Sequence, residues 1–177
     1  MSDHTLEMIE VAFPEYKSPE EMLNQIAGLL KNGAEKCQKT FTDPEDDWMP
    51  MYLVVFDKGD AKLITGNLDK HILVNLIASA ASDMGAVGIG QLNSSWRRMQ
   101  EDNSPPTRSI ANKPGSEEGL MLAVYSRTNW WIEWAPIGRD GRNPPTLGAW
   151  KKMMERKEGE EVTGAMFDPL LRALRKN

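Results

Sequence analysis

Four carboxylates stand close together in the first third of the chain, at Asp43, Glu45, Asp46 and Asp47. They precede a strongly apolar segment, and carboxylates at the entrance of a strand can hold Mg²⁺ or act as general acid and base. The run lacks the later ligands that a calcium-binding loop requires, which favours a solvated acidic loop. We therefore predict no metal site, with Asp46 and Asp47 as the only weak candidate ligands.

Four arginines flank segments that the pattern predicts as strands. Arg97 and Arg98 directly follow Trp96. Arg139 and Arg142 lie in a glycine-containing turn after a later strand. If the ends of these strands converge, the four guanidinium groups meet at one edge of a sheet, where they would bind a phosphate or a carboxylate. The alternative is four separate, solvated side chains.

Six tryptophans are the most unusual feature of the composition. Trp130 and Trp131 are adjacent in a predicted strand, so their rings point to opposite faces. Either helices cover both faces, or one face is an aromatic surface of the kind enriched at protein interfaces. The candidate binding residues are therefore Trp96, Arg97, Arg98, Trp130, Trp131, Arg139 and Arg142.

The remaining reactive side chains form no catalytic pattern. Histidine occurs only at His4 and His71, and the single cysteine, Cys37, falls on the apolar face of a predicted helix. Zinc-binding spacings such as CxxC or HExxH do not occur. The glycines between positions 85 and 90 lie before and within a strand, whereas a phosphate-binding loop leads into a helix. We predict no cofactor and no catalytic residue, and these patterns disfavour an enzyme.

The elements that must position these residues follow from hydrophobic periodicity, caps and turns. Ser18 and Pro19 start an amphipathic helix that runs to about Lys39. A second helix is predicted after Asn67, and its buried face is formed by Leu68, Ile72, Leu76 and Ala80 and widened by Leu73 and Ile77. Two further helices are predicted, over 146–157 and 169–176, and the predicted strands cover 51–56, 61–65, 86–92, 120–126 and 130–137.

This order of elements predicts one domain over residues 1–177, with an α/β fold of the α+β type. Its centre would be a five-stranded mixed sheet, made of two hairpins plus one strand and flanked by helices. The second helix would cross over between the second and third strands. A long loop near 97–118, rich in Ser, Asn, Pro and Gly, is a candidate functional segment.

Charge and composition limit the partners and the location. The net charge is −5 and the sequence pI is about 5.2, which disfavours a broad basic face for nucleic acid. The longest apolar stretches, 72–81 and 84–92, are shorter than the ~20 residues of a membrane span. The single cysteine and the absence of an apolar leader in residues 1–10 predict a cytoplasmic protein, in the host cytoplasm if the protein is viral.

Three segments resemble stretches of small uncharacterised bacterial and phage α/β proteins. They are residues 86–96 (AVGIGQLNSSW), 114–124 (PGSEEGLMLAV) and 147–150 (LGAW). The resemblance covers roughly residues 50 to 150. It implies architecture alone, because no activity is assigned to those proteins, and no residue takes a role from it.

These observations favour a non-enzymatic protein-binding or assembly protein, with strand 130–137 and the loop from Arg97 to Glu118 as its contact surface. A viral protein acting on a host factor fits the resemblance. One alternative is an enzyme or binder for a small phosphorylated or nucleotide-like ligand, held by Asp46, Asp47 and the arginines. Another alternative is a homo-oligomeric structural subunit joined through sheet edges.

Overall fold

The computed structural model describes residues 6–57, 59–66, 69–98, 116–156 and 168–175. These residues form eight strands and three helices. In chain order the elements are β1 (Leu6–Ala12), α1 (Pro19–Gln38), β2 (Met51–Phe56), β3 (Asp60–Gly66), α2 (Lys70–Met84), β4 (Ala86–Arg98), β5 (Ser116–Ser126), β6 (Trp130–Gly138), β7 (Thr146–Leu147), β8 (Lys151–Arg156) and α3 (Asp168–Arg175).

The strands form one antiparallel sheet, in the order β1-β3-β2-β4-β5-β6-β7, with β8 also pairing with β6. The prediction of a five-stranded mixed sheet is therefore wrong. The helix crossover is in place, however: β3 and β4 both pair antiparallel with β2, one on each side, so they run in the same direction and α2 connects them across β2. On its other side β3 pairs with β1, a strand that the sequence analysis did not predict.

The helix predicted over 146–157 is instead the short strand β7 followed by β8. Lys, Met, Glu and Arg are good helix formers, but β6 offers an edge with free hydrogen-bonding groups. Pairing with β6 over Lys151–Arg156 satisfies these groups, and the Gly148 N–H donates to the carbonyl oxygen of Pro136 at 2.8 Å. Tertiary pairing thus overrides local propensity.

The first helix forms as predicted. Ser18 is the N-cap, and its Oγ accepts a hydrogen bond from the Glu21 N–H at 3.1 Å, while Pro19 occupies the first turn. The Glu21 carboxylate accepts in turn from the Lys17 N–H at 2.9 Å, so this turn is held from both directions. The buried face of α1 includes Leu23, Ile26 and Leu30.

Helices cover both faces of the sheet. We call the side under α1 the α1 face; its buried residues include Leu53, Val55, Leu122, Val124 and Trp131. We call the opposite side the α2–α3 face; its buried residues include Tyr52, Val54, Ile89, Tyr125 and Trp130. α3 packs on α2 and over β4 and β5. The central strands are therefore buried on both sides.

A close approach of α1 to the sheet depends on Gly90. A Cβ atom at this position would lie 2.3 Å from Ile26 Cγ2 and 2.6 Å from Leu30 Cδ1. Only a residue without a side chain leaves room for these two packed residues. The glycine that weakens β4 as a strand is thus what allows the helix to pack tightly on it.

The buried face predicted for α2 is correct for Leu73 and Ile77 and wrong for Ile72, Leu76 and Ala80. Asp69 caps the helix, and the side chains turned into the core are Leu73, Val74, Ile77 and Ala81. Ile72, Leu76 and Ala80 are exposed instead. Apolar residues occupy more than half of the circumference of α2, so periodicity alone did not decide which side packs. The predicted positions Asn67 and Leu68 lie outside the described residues.

Among the described helices, none has the length and apolar character that crossing a membrane requires.

Candidate functional site

The paired tryptophans of β6 are both buried. Trp130 and Trp131 are each 4% exposed. On the α1 face, the Trp131 Nε1–H donates to Glu133 Oε2 at 3.1 Å, and Lys152 Nζ lies 4.4 Å from the centre of the indole ring. On the other face, Trp130 packs in the cluster that contains residues of α2 and α3. The two rings therefore form part of the core, and β6 has no open aromatic surface.

Glu133 is the one charged residue of β6, and it is nearly buried. Lys31 Nζ lies 2.7 Å from its Oε1, and Trp131 binds its other oxygen. A buried carboxylate needs such partners, because burying it unpaired would cost several kcal/mol. Lys31 also lies over the ring of Trp150, at 5.5 Å from the centroid. This network fixes α1 to β6.

Of the predicted binding residues outside β6, the structure brings Trp96 and Arg139 together. Arg139 and Trp96 line one cavity of about 760 Å³, together with Glu45, Asp47, Ser116, Glu117, Glu118 and Ile137. Arg142 lies beyond this cavity, exposed in the turn where its N–H donates to Asp140 Oδ1 at 2.8 Å. Arg97 and Arg98 belong to β4, and their side chains lie outside the described part of the structure.

The guanidinium group of Arg139 is fully engaged by the protein. It binds both carboxylate oxygens of Glu118, at 2.8 and 3.0 Å. It also donates to the carbonyl oxygens of Pro44 and Asp46, at 3.0 and 2.9 Å, and lies 3.4 Å from the Asp47 carboxylate. The hydrogen bond to Glu118 is the main cause that raises the pKa of Arg139. Arg139 thus ties the acidic loop to the ends of β5 and β6.

The acidic loop is held by its own carboxylates. Asp46 Oδ2 accepts from the N–H groups of Asp43 and Thr42, at 2.9 and 2.8 Å, and these bonds lower the pKa of Asp46. Asp47 accepts from the Ser94 hydroxyl at 3.0 Å and from the Trp48 N–H at 2.8 Å. Within the described residues, no group of three or more His, Cys, Asp or Glu side chains is arranged to hold a metal ion.

The described side chains of this cavity are mostly acidic. They include the carboxylates of Glu45, Asp47, Glu117 and Glu118, with Arg139 as the described cation. Arg139 is already paired with Glu118. The convergence of Trp96 with Arg139 thus has a structural explanation in the anchored loop.

A more exposed apolar region lies at the opposite edge of the sheet. β1 pairs with β3 on one side, and among the described residues no strand pairs with its outer edge. Leu6 and Met8 point to the α2–α3 face, since Met8 lies opposite Ile64; Ile9 points to the α1 face, opposite Leu63. All three side chains are exposed. β1 is therefore an edge strand with apolar residues on both faces.

Exposed apolar residues also occur on α2, whose carboxyl end adjoins β1. Ile72, Leu76 and Met84 recur on the helix at multiples of four residues and are exposed. Met84 lines the same cavity of about 900 Å³ as Glu10 and Ala12, so the carboxyl end of α2 lies beside β1. We call the six side chains together the β1–α2 surface: Leu6, Met8, Ile9, Ile72, Leu76 and Met84, all between 47% and 55% exposed.

Sequence reasoning missed the β1–α2 surface. The apolar residues of Leu-Glu-Met-Ile-Glu-Val-Ala were the available signal for β1, but they do not alternate regularly with polar residues, so the signal was weak. For α2, the signal was an apolar surface wider than one packed face.

Comparison of the chain with protein-family models, curated proteins and solved structures found no match.

Proposed function

We propose that this protein is a non-enzymatic binding protein that holds a protein partner on its β1–α2 surface. The observation that supports this proposal is the concentration of six large apolar side chains, each about half exposed, on one edge strand and the neighbouring helix. Scattered exposed apolar residues are ordinary, but residues grouped on adjoining elements mark an interaction surface.

The backbone of β1 adds a second reason. An edge strand presents unpaired N–H and C=O groups that accept a further strand, and proteins that avoid such pairing place Lys, Pro or a bulge there. The sequence from Leu6 to Ala12 has neither Lys nor Pro, and it pairs with β3 in continuous register without a bulge. This edge is therefore suited to strand addition, in which main-chain hydrogen bonds give affinity and side chains give specificity.

The charge of the surface favours a protein over other classes of partner. β1 carries Glu7 and Glu10 and no basic residue. A nucleic acid would be repelled by these carboxylates. Apolar side chains lie between and beside these carboxylates, on both faces of the strand. A partner strand with apolar residues at matching positions fits this pattern.

Site-specific photo-crosslinking tests this proposal in cells that naturally produce the protein. The photoreactive residue p-benzoylphenylalanine replaces Ile9 or Leu76, with Arg142 as the control position because it is exposed in a polar turn away from the surface. We expect irradiation to give discrete adducts from positions 9 and 76 and none from position 142. Equal labelling at all three positions, or no adduct from 9 and 76, would contradict the proposal.

A further inference from the structure

We infer that the partner is a second copy of this chain, whose β1 pairs antiparallel with β1 across a two-fold axis perpendicular to the sheet. This inference rests on the proposed function, because it names the occupant of the same β1–α2 surface. It is supported by the strand directions in the sheet, by the register that β1 permits with itself, and by the position of α2.

The strand directions favour pairing of two β1 strands. From edge to edge the sheet runs β1, β3, β2, β4, β5, β6 and β8, and every neighbouring pair is antiparallel. Seven strands that alternate in direction leave β1 and β8 pointing the same way. Joining copies end to end through β8 and β1 would thus create a parallel pair, whereas two β1 strands related by the two-fold axis are antiparallel. Antiparallel pairing matches the rest of the sheet and is slightly more stable per residue.

The sequence of β1 selects one register. With Ile9 opposite Ile9 of the second copy, all seven residues of β1 are paired, because Ile9 is the middle of Leu6–Ala12. Met8 then faces Glu10 of the second copy, and Glu7 faces Val11. No glutamate lies directly opposite a glutamate, an arrangement that would be destabilising. Within its own chain Glu10 lies opposite Lys62, which offsets its charge.

The same two-fold axis also determines where the second copy lies relative to α2. An axis perpendicular to the sheet leaves both α2 helices on the same side, one on each side of the β1–β1 seam. Leu6 and Met8 of both copies lie on this side, because Met8 shares the face of Ile64. Neighbouring strands are about 4.8 Å apart, so the two β1 strands place the second copy beside Met84 and the cavity it lines. One operation therefore pairs the strand edge and places the second copy beside the carboxyl end of α2.

The first test is the mass of the unmodified protein by sedimentation velocity over a wide concentration range. We expect a reversible shift from 19.9 kDa to twice that mass. In the Ile9→Lys variant two ammonium groups would face each other at the axis. We expect their repulsion to raise the dissociation constant of the dimer at least about tenfold. Ile9→Val, the matched control, should retain the dimer. An unmodified protein that stays monomeric at every concentration would overturn the inference.

Cysteine pairing tests the register independently. In a Cys37→Ala background, Ile9→Cys places two thiols directly opposite, where Cα atoms are about 4.5–5.5 Å apart and a disulfide forms readily. Met8→Cys and Leu6→Cys place the thiols two and six residues out of register, so we expect little or no covalent dimer. A dimer linked only through position 8 or only through position 6 would show that the register is wrong.

The two proposals fail separately. A covalent adduct of position 9 with a different protein, together with a monomeric unmodified chain, would overturn the second copy and retain the binding function of the β1–α2 surface. Absence of any adduct together with a monomeric chain would overturn both.

Discussion

β6 and β1 are strands with large apolar residues on both faces, yet the structure places them in opposite environments. β6 pairs with β5 on one side and with β7 and β8 on the other, and Trp130 and Trp131 are each 4% exposed. Among the described strands β1 pairs only with β3, and its side chains Leu6, Met8 and Ile9 are about half exposed. The difference shows that residue type marks a side chain able to form an interface, while the position of its strand decides whether that side chain is available.

The charges of the two strands show the same contrast. Glu133 of β6 is nearly buried and is bound by Lys31 and Trp131. Glu7 and Glu10 of β1 are exposed. A carboxylate in the interior requires a fixed partner, whereas a solvated one does not. The network around Glu133 therefore stabilises the core. Under the proposal above, the solvated glutamates of β1 instead influence which strand pairs with β1 and in which register.

The largest expected effect is a difference in stability between truncations in the two strands. Trp131→Ala removes a buried ring and the donor to Glu133, and should lower the free energy of unfolding by about 3–5 kcal/mol. Ile9→Ala should change it by about 0.5 kcal/mol or less when the protein is dilute. Urea denaturation followed by circular dichroism measures both. Trp131→Phe is the control, and it should lose less because most of the volume remains. Equal losses in β1 and β6 would break the comparison.

A smaller difference in stability is expected between alanine substitutions at two glycines, Gly90 beneath α1 and Gly28 within α1. Gly90→Ala pushes a methyl group against Ile26 and Leu30 and should destabilise the protein by about 1–3 kcal/mol. Gly28→Ala, within α1, meets no atom within 4 Å and should stabilise it by about 0.5–1 kcal/mol. Thermal unfolding of the two variants should therefore shift in opposite directions. A shift in the same direction would show that α1 does not pack on β4 as tightly as described.

The smallest expected effect on stability comes from Asp46, in the acidic loop that Arg139 binds near the end of β6. Hydrogen bonds from the backbone of Asp43 and Thr42 lower the pKa of Asp46 below its ordinary value of 3.8. The ionised carboxylate is favoured in the folded state, so its stabilisation is present above the unfolded pKa and is lost as the pH falls through the lower folded pKa.

Asp46→Asn should accordingly be less stable than the unmodified protein at neutral pH, and this difference should shrink as the pH falls below about 3.8. Urea midpoints measured over a pH series give the difference directly. A difference that stays constant down to the lowest pH would indicate that the ionised carboxylate of Asp46 does not hold the loop.

Several elements could be predicted because their signals are local. The cap at Ser18 and the apolar spacing along α1 lie within the helix itself, and the hairpin of β2 and β3 follows from two apolar runs around a short turn. Trp96, Asp47 and Arg139, which the sequence analysis singled out, line one cavity, but none of them belongs to the β1–α2 surface. The role expected for Arg139 was different, because the sequence does not show that Glu118 lies opposite Trp96 across β4 and β5 and binds the guanidinium.

By itself, the sequence determined where most of the strands lie and that α1 packs through one apolar face, since backbone propensity and periodicity act over a few residues. The tertiary structure decided that Lys151–Arg156 is a strand, which side of α2 is buried, and that the outer edge of β1 is open among the described residues. Each of these outcomes depends on hydrogen-bonding edges and packed surfaces supplied by segments far away in the chain. Which apolar residues form the core and which remain for a partner is a property of the assembled sheet.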